Sequence, residues 1–388
     1  MRKRTILFFI LALTVIANAF SQTEADFIVE LTADFTGAII NDYTGTPVQV
    51  RIPVKIQGMP VKEIGRSAFS NKRITSVIIP EGVTVIGYSA FNNSRQLVSV
   101  TIPNSVISIS DRAFYGCQAL TTVNIPNSVI SIGNLTFYDC SKLESLTLPS
   151  GIKSIGIGAF ARSGLKSFKW PASITNIQYG NFEYENSGMF EGCSNLQTIT
   201  IPEGVTEIEE RTFSECTSLT SVAIPNSVKT IGASAFKNCS KLESINIPVS
   251  VTSVGYSAFS NSSLKSITWP GSITKINNSG IFSNCKSLQT VLISEGVTEI
   301  GNNTFSDCTS LISVTLPSTI SEIGIFAFNN CSALTTVTIP DTVGNITFTS
   351  NYWGDMSSFS GCQKLTLVSQ AALRKRGYTG SFNSTNAR

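Results

Sequence analysis

The segment that decides the fold is LTTVNIPNSVISIGNLTFYDC, residues 120–140, because its pattern returns along the chain at intervals of 23 residues. Val123 and Ile125 alternate with polar neighbours, which is the two-residue period of a half-buried strand. Pro126 ends that strand because it has no backbone N–H to donate. The segment therefore predicts a short strand followed by a turn.

The second half of the segment adds apolar positions beyond the strand. Val129 and Ile132 begin a second apolar edge, Gly133 permits a sharp turn, and Phe137 fills the interior. The same phenylalanine recurs at Phe69, Phe91, Phe114, Phe160, Phe190, Phe213, Phe236, Phe259, Phe282, Phe305, Phe328 and Phe359. Because one aromatic per unit is regular along the chain, we expect this column to form the core.

Repetition on this scale predicts a stacked architecture. A single unit cannot bury its apolar edge alone, whereas stacked units can, because each apolar residue then lies on its equivalent in the next unit. The sequence predicts a curved, right-handed repeat solenoid of α/β type dominated by β structure, with about thirteen rungs of 23 residues and a parallel sheet.

The two ends of the chain depart from the repeat. Residues 1–21 have a basic start, an apolar stretch and small residues at two cleavage positions, which predicts a signal peptide. Residues 22–56 predict an N-terminal β-hairpin cap, and residues 57–368 the repeat solenoid. Residues 369–388 predict a helical C-terminal cap and a tail.

The charge of the chain limits its partners. Three basic residues of the predicted signal peptide account for the net charge of +3, so the rest of the chain is neutral. A neutral protein lacks the electrostatic surface that nucleic acid binding requires. Beyond residues 1–21 no apolar run is long enough for membrane insertion. We therefore expect a secreted or cell-surface protein.

The unit resembles the BspA-like class of bacterial leucine-rich repeats. The pattern L-x-x-V-x-I-P-x-x-V-x-x-I-G-x-x-A-F-x-x-C is present in residues 219–239 and extends over roughly residues 50–365. The resemblance implies a secreted or cell-surface protein, with adhesion to host or bacterial partners in some members, and it supplies no catalytic residues. Departures from the pattern are Ser294 in place of proline and, in place of cysteine, Lys72, Ser94, Ser163 and Ser262.

Cysteine occurs at one position of the repeat, three residues after the phenylalanine. The nine are Cys117, Cys140, Cys193, Cys216, Cys239, Cys285, Cys308, Cys331 and Cys362. Their odd number, and serine at the same position in other rungs, favour a ladder of buried thiols over disulfides, although neighbouring rungs bring cysteines within bridging distance. A zinc site needs convergent ligands. We expect no metal and no cofactor.

Catalysis has little support in the sequence. The chain contains no histidine, which excludes Ser-His-Asp and Cys-His nucleophile systems. Paired carboxylates could still act, as in glycosidases. The densest acidic positions are Glu183 with Glu185, and Glu207 with Glu209 and Glu210, and a solvated face explains them better. We predict that the chain is not an enzyme and keep a glycan-acting enzyme as an alternative.

Two kinds of surface are candidates for binding. The outward positions of the predicted strands are short and hydroxyl-rich: Ser99, Thr101, Thr122, Asn124, Ser145, Thr147, Thr198, Thr200, Ser244, Asn246, Thr336 and Thr338. These residue types also simply suit exposed strands. They could alternatively present a flat face to a protein or a glycan.

Two insertions lengthen the repeat before Phe190 and Phe359. Extra residues in a repeat usually emerge as loops, and their aromatic residues resemble interaction hot spots. The candidate ligand-binding residues are Tyr179, Phe182, Tyr184, Phe348, Tyr352 and Trp353. The alternative is that the insertions fold back to fill a gap in the solenoid. We expect the partner to be a host or bacterial surface protein or glycan, with a structural or decoy protein lacking a dedicated ligand as the alternative.

Overall fold

The computed structural model describes residues 22–174, 187–276, 279–349 and 357–383. It confirms a β-solenoid of about 13 turns with parallel sheets and a C-terminal helix. The chain divides into two compact units. Among the described residues, the first unit runs to Leu165 and the second begins at Lys166.

In the described residues, the regular structure consists of a 3-10 turn at Glu24–Asp26, twenty-six short strands and one α-helix. The strands are β1 (Phe27–Leu31), β2 (Ala38–Tyr43), β3 (Gln49–Arg51), β4 (Lys55–Ile56), β5 (Met59–Ile64), β6 (Ser76–Ile78), β7 (Val85–Ile86), β8 (Ser99–Thr101), β9 (Ser108–Ile109), β10 (Thr122–Val123), β11 (Ser131–Ile132), β12 (Ser154–Ile155), β13 (Ser167–Lys169), β14 (Thr198–Thr200), β15 (Glu207–Ile208), β16 (Ser221–Ala223), β17 (Thr230–Ile231), β18 (Ser253–Val254), β19 (Ser266–Trp269), β20 (Lys275–Ile276), β21 (Thr290–Ile293), β22 (Glu299–Ile300), β23 (Ser313–Thr315), β24 (Glu322–Ile323), β25 (Thr336–Thr338) and β26 (Thr347–Phe348). The helix is α1 (Leu367–Lys375).

The first unit contains two sheets. Its front sheet, with order β10-β8-β6-β3, is built from the strand that precedes the repeat proline. Its second sheet has order β1-β2-β5-β7-β9-β11-β12 and is built from the apolar edge that follows the proline. The hairpin β1–β2 is antiparallel, and β2 continues into the sheet by pairing parallel to β5, while β4 pairs antiparallel with β5. A β-hairpin therefore caps the start of the solenoid, as the sequence predicts.

A side chain covers the first edge of the front sheet. The Gln22 Nε2 atom donates to the carbonyl oxygen of Gln49 at 2.5 Å, and the Arg51 backbone N–H donates to Gln22 Oε1 at 2.6 Å. The Glu24 carboxylate similarly accepts the backbone N–H of Gln57 at 2.8 Å. The Gln22 amide thus forms the two hydrogen bonds that a neighbouring strand would otherwise supply to β3.

The second unit repeats the same two-sheet design. Its front sheets are β13-β14-β16 and β19-β21-β23-β25, and its second sheets are β15-β17-β18 and β20-β22-β24-β26. All pairs within these sheets are parallel and in register. The unit ends in α1, where Thr366 caps the N-terminus by accepting the Ser369 N–H at 3.3 Å. Gly377, at φ 104°, follows the helix and ends it.

The phenylalanine column forms the core of both units, as predicted. The column residues have no exposed surface. Successive rings are stacked with centroid separations of 5.1–6.0 Å from Phe69 to Phe160, and 5.0–5.7 Å from Phe190 to Phe359. Each ring therefore buries its faces against the rings of the neighbouring rungs.

The chain turns sharply on both sides of each core phenylalanine. Around Phe137, the residues two before and two after it, Leu135 and Asp139, have φ of 54° and 56°. This left-handed conformation costs a non-glycine residue roughly 1–2 kcal/mol. Backbone bonds between rungs offset that cost, since the Phe137 N–H donates to the Ala159 carbonyl at 2.8 Å.

Candidate functional site

Hydroxyl side chains in the turns are used to join the rungs. Ser128 Oγ donates to the Val106 carbonyl at 2.6 Å, and Ser263 Oγ donates to the Ser240 carbonyl at 2.6 Å. Similar bonds run from one rung to the preceding one along both units. These hydroxyls serve the scaffold because their O–H donors are bonded to backbone carbonyls of the preceding rung.

Hydroxyls on the front sheets are placed differently. The strands alternate exposed and buried residues, as in β14, where Thr198 and Thr200 are exposed and Ile199 is buried. Within the described part of the chain, no side-chain hydrogen bond is formed by Ser99, Thr101, Thr122, Asn124, Ser145, Thr147, Thr198, Thr200, Ser244, Asn246 or Thr338. The Thr336 hydroxyl lies 3.4 Å from the hydroxyl of the neighbouring Thr335, and this is its one side-chain hydrogen bond in the described ranges. The outward face of the front sheets therefore presents rows of available donors and acceptors.

The edge of the front face in the second unit carries a shallow groove. Its volume is about 450 Å3, and it is lined by Thr220, Ser240, Lys241, Glu243, Ser244, Ser263, Lys265 and Ser287. Lys265 Nζ and Glu243 Oε2 form an ion pair at 2.5 Å, with both side chains more than half exposed. An exposed pair of this kind contributes little to stability, so these charges are available to a partner.

The aromatic residues of the insertions divide into two groups. Tyr179, Phe182, Tyr184, Tyr352 and Trp353 lie outside the described residues. Phe348 lies in β26 and is only 5% exposed. Its ring packs edge-on against Phe359 and Tyr378, at centroid distances of 6.4 and 5.1 Å. Phe348 is thus a core residue at the last rung, because this packing leaves its ring no surface to offer a partner.

All nine cysteines are buried thiols in the structure. Most of them donate a hydrogen bond to the carbonyl of the phenylalanine in the preceding rung, as Cys239 Sγ does to the Phe213 carbonyl at 3.2 Å. Ser94 makes the same bond to the Phe69 carbonyl at 2.5 Å. Serine can therefore replace cysteine because the position needs a small buried donor.

Burial also controls the reactivity of these thiols. Desolvation raises the pKa of Cys239 to about 12 and that of Cys285 to about 11. Because the thiolate is the reactive form, we expect Ellman's reagent to label no cysteine in the native protein and all nine in denaturant.

Substitution Cys239→Ser should leave the melting temperature nearly unchanged, whereas Cys239→Val should lower it by several degrees through loss of the donor. Rapid labelling of the native protein would contradict this account.

The densest described acidic positions lie on β15 and the turn that follows it. Glu207 is exposed, Glu210 accepts a long hydrogen bond from the Tyr256 hydroxyl at 3.5 Å, and Glu209 is half-buried. Burial, followed by the charge of Glu207, raises the pKa of Glu209 to about 7. Glu209 occupies the repeat position that is glycine at Gly232 in the next rung. Glu183 and Glu185 lie outside the described residues.

The raised pKa of Glu209 predicts a pH dependence of stability. Because the folded state disfavours the ionised carboxyl, stability should be highest below the ordinary pKa of 4.5 and fall as the pH rises to about 7. The change should be on the order of 1 kcal/mol for a partly solvated group. Glu209→Gln should flatten the curve of melting temperature between pH 4.5 and 8, and Glu203→Gln, at an exposed site of the same rung, should not. Equal curves for wild type and Glu209→Gln would refute the assignment.

The described residues lack two features, a cluster of metal ligands and a helix that could cross a bilayer. No group of three or more cysteine, aspartate or glutamate side chains among them is arranged to hold a metal ion. None of their helices combines the length and hydropathy needed to cross a bilayer.

A groove in the second sheet of the first unit has no counterpart in the sequence analysis. Its volume is about 410 Å3, and it is lined by Tyr88, Ser108, Ile109, Ser110, Asp111, Ser131, Ile132, Gly133, Asn134, Ser154 and Gly156. Tyr88, Asp111 and Asn134 all stand three residues before a core phenylalanine. This shared repeat position indicates that the three side chains are neighbours in the fold. It is difficult to recognise in the sequence because the three residues are of different types.

Solved structures of other bacterial proteins are similar to this one. A leucine-rich repeat protein from Bacteroides ovatus ATCC 8483 is 27% identical and aligns over 95% of this chain and 100% of the other, with a TM-score of 0.73. A leucine rich cell surface protein from Faecalibacterium prausnitzii A2-165 is 27% identical over 87% and 97% of the chains, with a TM-score of 0.50. The pneumococcal vaccine antigen PcpA is 19% identical over 81% and 96%, with a TM-score of 0.51, and shares the fold.

The match to a family model covers almost the whole solenoid. No curated protein matches the sequence. The model described as "BspA type Leucine rich repeat region (6 copies)" matches residues 62–187, 186–288 and 278–386. Because these matches together span far more than half of the chain, the protein belongs to the BspA-type leucine-rich repeat family.

Proposed function

We propose that this chain is a surface-displayed binding protein whose front sheets recognise a macromolecular partner, either a host or bacterial surface protein or a glycan. The observation that carries the proposal is the contrast between the two sets of hydroxyls. The turn hydroxyls bond backbone carbonyls, whereas the front-sheet hydroxyls point outward and, apart from that of Thr336, form no side-chain hydrogen bond in the described residues. A hydroxyl both donates and accepts, so these rows can satisfy many polar groups of a partner.

The scaffold suits recognition by many weak contacts. Front strands pair in register, as Thr315 on β23 does with Thr338 on β25, so each row of hydroxyls repeats at roughly 4.8 Å. Short side chains on paired strands lose little conformational entropy when they bind. Binding should therefore depend on the length of the face rather than on one pocket.

Location at the cell surface is supported by relatives and by the start of the chain. The similar protein from Faecalibacterium prausnitzii is described as a leucine rich cell surface protein. Residues 1–21 have the composition of a signal peptide. Both observations favour export, and a display scaffold needs export to meet an extracellular partner.

The test compares two double variants with the wild-type protein. Thr315→Arg with Thr338→Arg places two large cations on the front face, and Gln96→Arg with Ser332→Arg places them at exposed turn positions. All three proteins are screened against immobilised host matrix proteins and bacterial surface glycans. We expect saturable wild-type binding that falls at least tenfold in the front-face variant and is retained in the turn variant. Equal binding by both variants would refute the front face as the site, and the absence of wild-type binding across the panel would favour a structural or decoy role.

The insertion aromatics form a second, separable part of the proposal. We propose that Tyr179, Phe182, Tyr184, Tyr352 and Trp353 add contacts to the same partner, because aromatic residues dominate interface energetics. Replacing both insertions with plain 23-residue rungs tests this in the same screen. Weaker binding after replacement would support the aromatic contacts, and undiminished binding would leave recognition to the front face alone.

A further inference from the structure

The groove at the edge of the front face in the second unit lies at a shortened rung. Leu264 follows its core phenylalanine by five residues, whereas the equivalent leucines of the two adjacent rungs follow theirs by six. The missing residue is the counterpart of Lys241 in the preceding rung and of Ser287 in the following rung, and both of these line the groove. Ser263 does not replace it, because its hydroxyl bonds the carbonyl of Ser240, with which it is aligned. The shortened rung therefore leaves space between the side chains of its two neighbours.

The lining of this groove contains one cation without a partner. Lys241 is exposed and forms no hydrogen bond or ion pair with any described residue. The other two charged residues of the lining, Lys265 and Glu243, are paired with each other. Two lysines and one glutamate give the lining a net charge of +1. The unshared charge is the Lys241 ammonium group, which has three donors for an anion.

Hydroxyl groups make up the rest of the lining, which includes no aliphatic or aromatic residue among those that the structure describes. Ser244 and Ser287 form no side-chain hydrogen bond with a described residue, so each hydroxyl can donate and accept. Thr220, Ser240 and Ser263 donate to backbone carbonyls of the preceding rung and keep lone pairs that can accept. A ligand rich in hydroxyl groups can therefore bond several of these side chains at once.

A duplicated block of the sequence retains the charged residues of the groove. Residues 137–174 align with residues 236–273, so that each residue of the first block has a counterpart in the second. The charged residues of the first block are Asp139, Lys142, Glu144, Lys153, Arg162, Lys166 and Lys169, and those of the second are Lys237, Lys241, Glu243 and Lys265. The charges shared by both blocks are those of Lys142 with Lys241, Glu144 with Glu243, and Lys166 with Lys265. The shared charges are thus the three that line the groove, which indicates that they act together.

We propose that this groove binds an anionic sugar residue of an acidic glycan. The anionic group, a carboxylate or a sulfate, pairs with Lys241, and the sugar hydroxyls bond Ser244 and Ser287 in the space that the shortened rung leaves. An acidic peptide is the less suitable ligand, because the groove has no apolar pocket for its side chains. The inference rests on the proposed front-face function and deepens it, because it names the class of partner that is bound at this edge.

The experiment measures binding of short oligosaccharides to the full-length chain by isothermal titration calorimetry at low salt. Tetragalacturonate supplies carboxylates and a κ-carrageenan tetrasaccharide supplies sulfates. The methyl ester of the first and the desulfated form of the second test the charge, and tetraglutamate tests the sugar. Lys241→Gln removes the unpaired cation and Lys241→Arg keeps it. Lys364→Gln, at an exposed lysine in the same repeat position of the last rung, is the matched control.

We expect one or both acids to bind, and Lys241→Gln to weaken this binding about fivefold, which is the upper range for an exposed ion pair. Lys241→Arg and Lys364→Gln should stay within about twofold of the wild type, and each neutral form should bind about fivefold more weakly than its acid. The acid that binds more tightly identifies the anionic group as a carboxylate or a sulfate. Absence of binding by both acids, equal binding of the neutral forms or of tetraglutamate, or an equal loss in Lys364→Gln would each overturn the proposal.

The screen against host matrix proteins and bacterial glycans separates this proposal from the front-face function. If the wild-type protein binds a partner in that screen and neither acid in the calorimeter, the groove assignment is wrong and the front-face function stands. If the wild-type protein binds neither the panel nor the acids, both proposals are wrong. Binding of a glycan in the screen that is weakened by Lys241→Gln and kept in Lys364→Gln would support both.

Discussion

Phe236→Ala is expected to lower the free energy of unfolding by about 3–5 kcal/mol, the range for truncation of a fully buried aromatic side chain. The Phe236 ring has no exposed surface and stacks between Phe213 and Phe259, at centroid distances of 5.3 and 5.4 Å. Truncation would remove contacts on both faces and leave a cavity that paired rungs on either side cannot close. Urea unfolding followed by circular dichroism measures the loss.

A graded control makes this prediction specific to stacking. Phe236→Leu keeps most of the buried volume and should cost about 1–2 kcal/mol, while Thr200→Ala on the exposed front face should change stability by less than about 0.5 kcal/mol. A loss below about 1 kcal/mol for Phe236→Ala would mean that the rungs collapse around the missing ring and that the column is not the main source of stability.

Gly156→Ala is expected to destabilise the fold by about 2–3 kcal/mol, although it adds a single methyl group. The added Cβ would lie 2.4 Å from the Asn134 backbone nitrogen and 2.6 Å from the Gly133 carbonyl carbon. Because both contacts are with backbone rather than a flexible side chain, two rungs would have to move apart. Thermal unfolding of the purified variant measures the effect.

Gly151 in the same rung supplies the matched control. A Cβ there would meet no atom within 4 Å. Gly151→Ala should therefore be neutral or stabilise by about 0.5 kcal/mol, because alanine restricts the unfolded chain. Similar melting temperatures for Gly156→Ala and Gly151→Ala would show that the close approach of rungs at Gly156 is not required.

Much of the fold can be predicted because its strongest determinant is periodic. The core column can be predicted from the regular spacing of phenylalanines such as Phe114 and Phe137, because residues at the same repeat position stack on one another in a solenoid. The exposed front-face hydroxyls follow from two-residue alternation, as in Thr198 to Thr200. The sequence predicts a helical cap and a tail over residues 369–388, and the helix of the structure is Leu367–Lys375.

Other features depend on contacts between rungs that no single repeat reveals. The sequence predicts the second sheet only as an apolar edge, because strands such as β11 are two residues long and are formed by pairing with their neighbours. The left-handed backbone conformation of residues such as Leu135 also cannot be predicted from the sequence, because leucine normally avoids that conformation. The groove beside Tyr88 and Asn134 arises where unlike side chains of successive rungs meet, so a search for identical residues misses it.

The amide of Gln22 has a consequence for how molecules of this protein behave toward one another. The first strand of a solenoid sheet has one unpaired edge. If that edge is uncovered, its backbone donors and acceptors can pair with a strand of another chain. The Gln22 amide forms hydrogen bonds with two of these backbone groups on β3. Because it is a side chain, it does not present a further strand edge to which another strand could pair. A second molecule that approaches the first edge of β3 therefore meets two backbone groups that are already bonded, which disfavours addition of a strand at this edge.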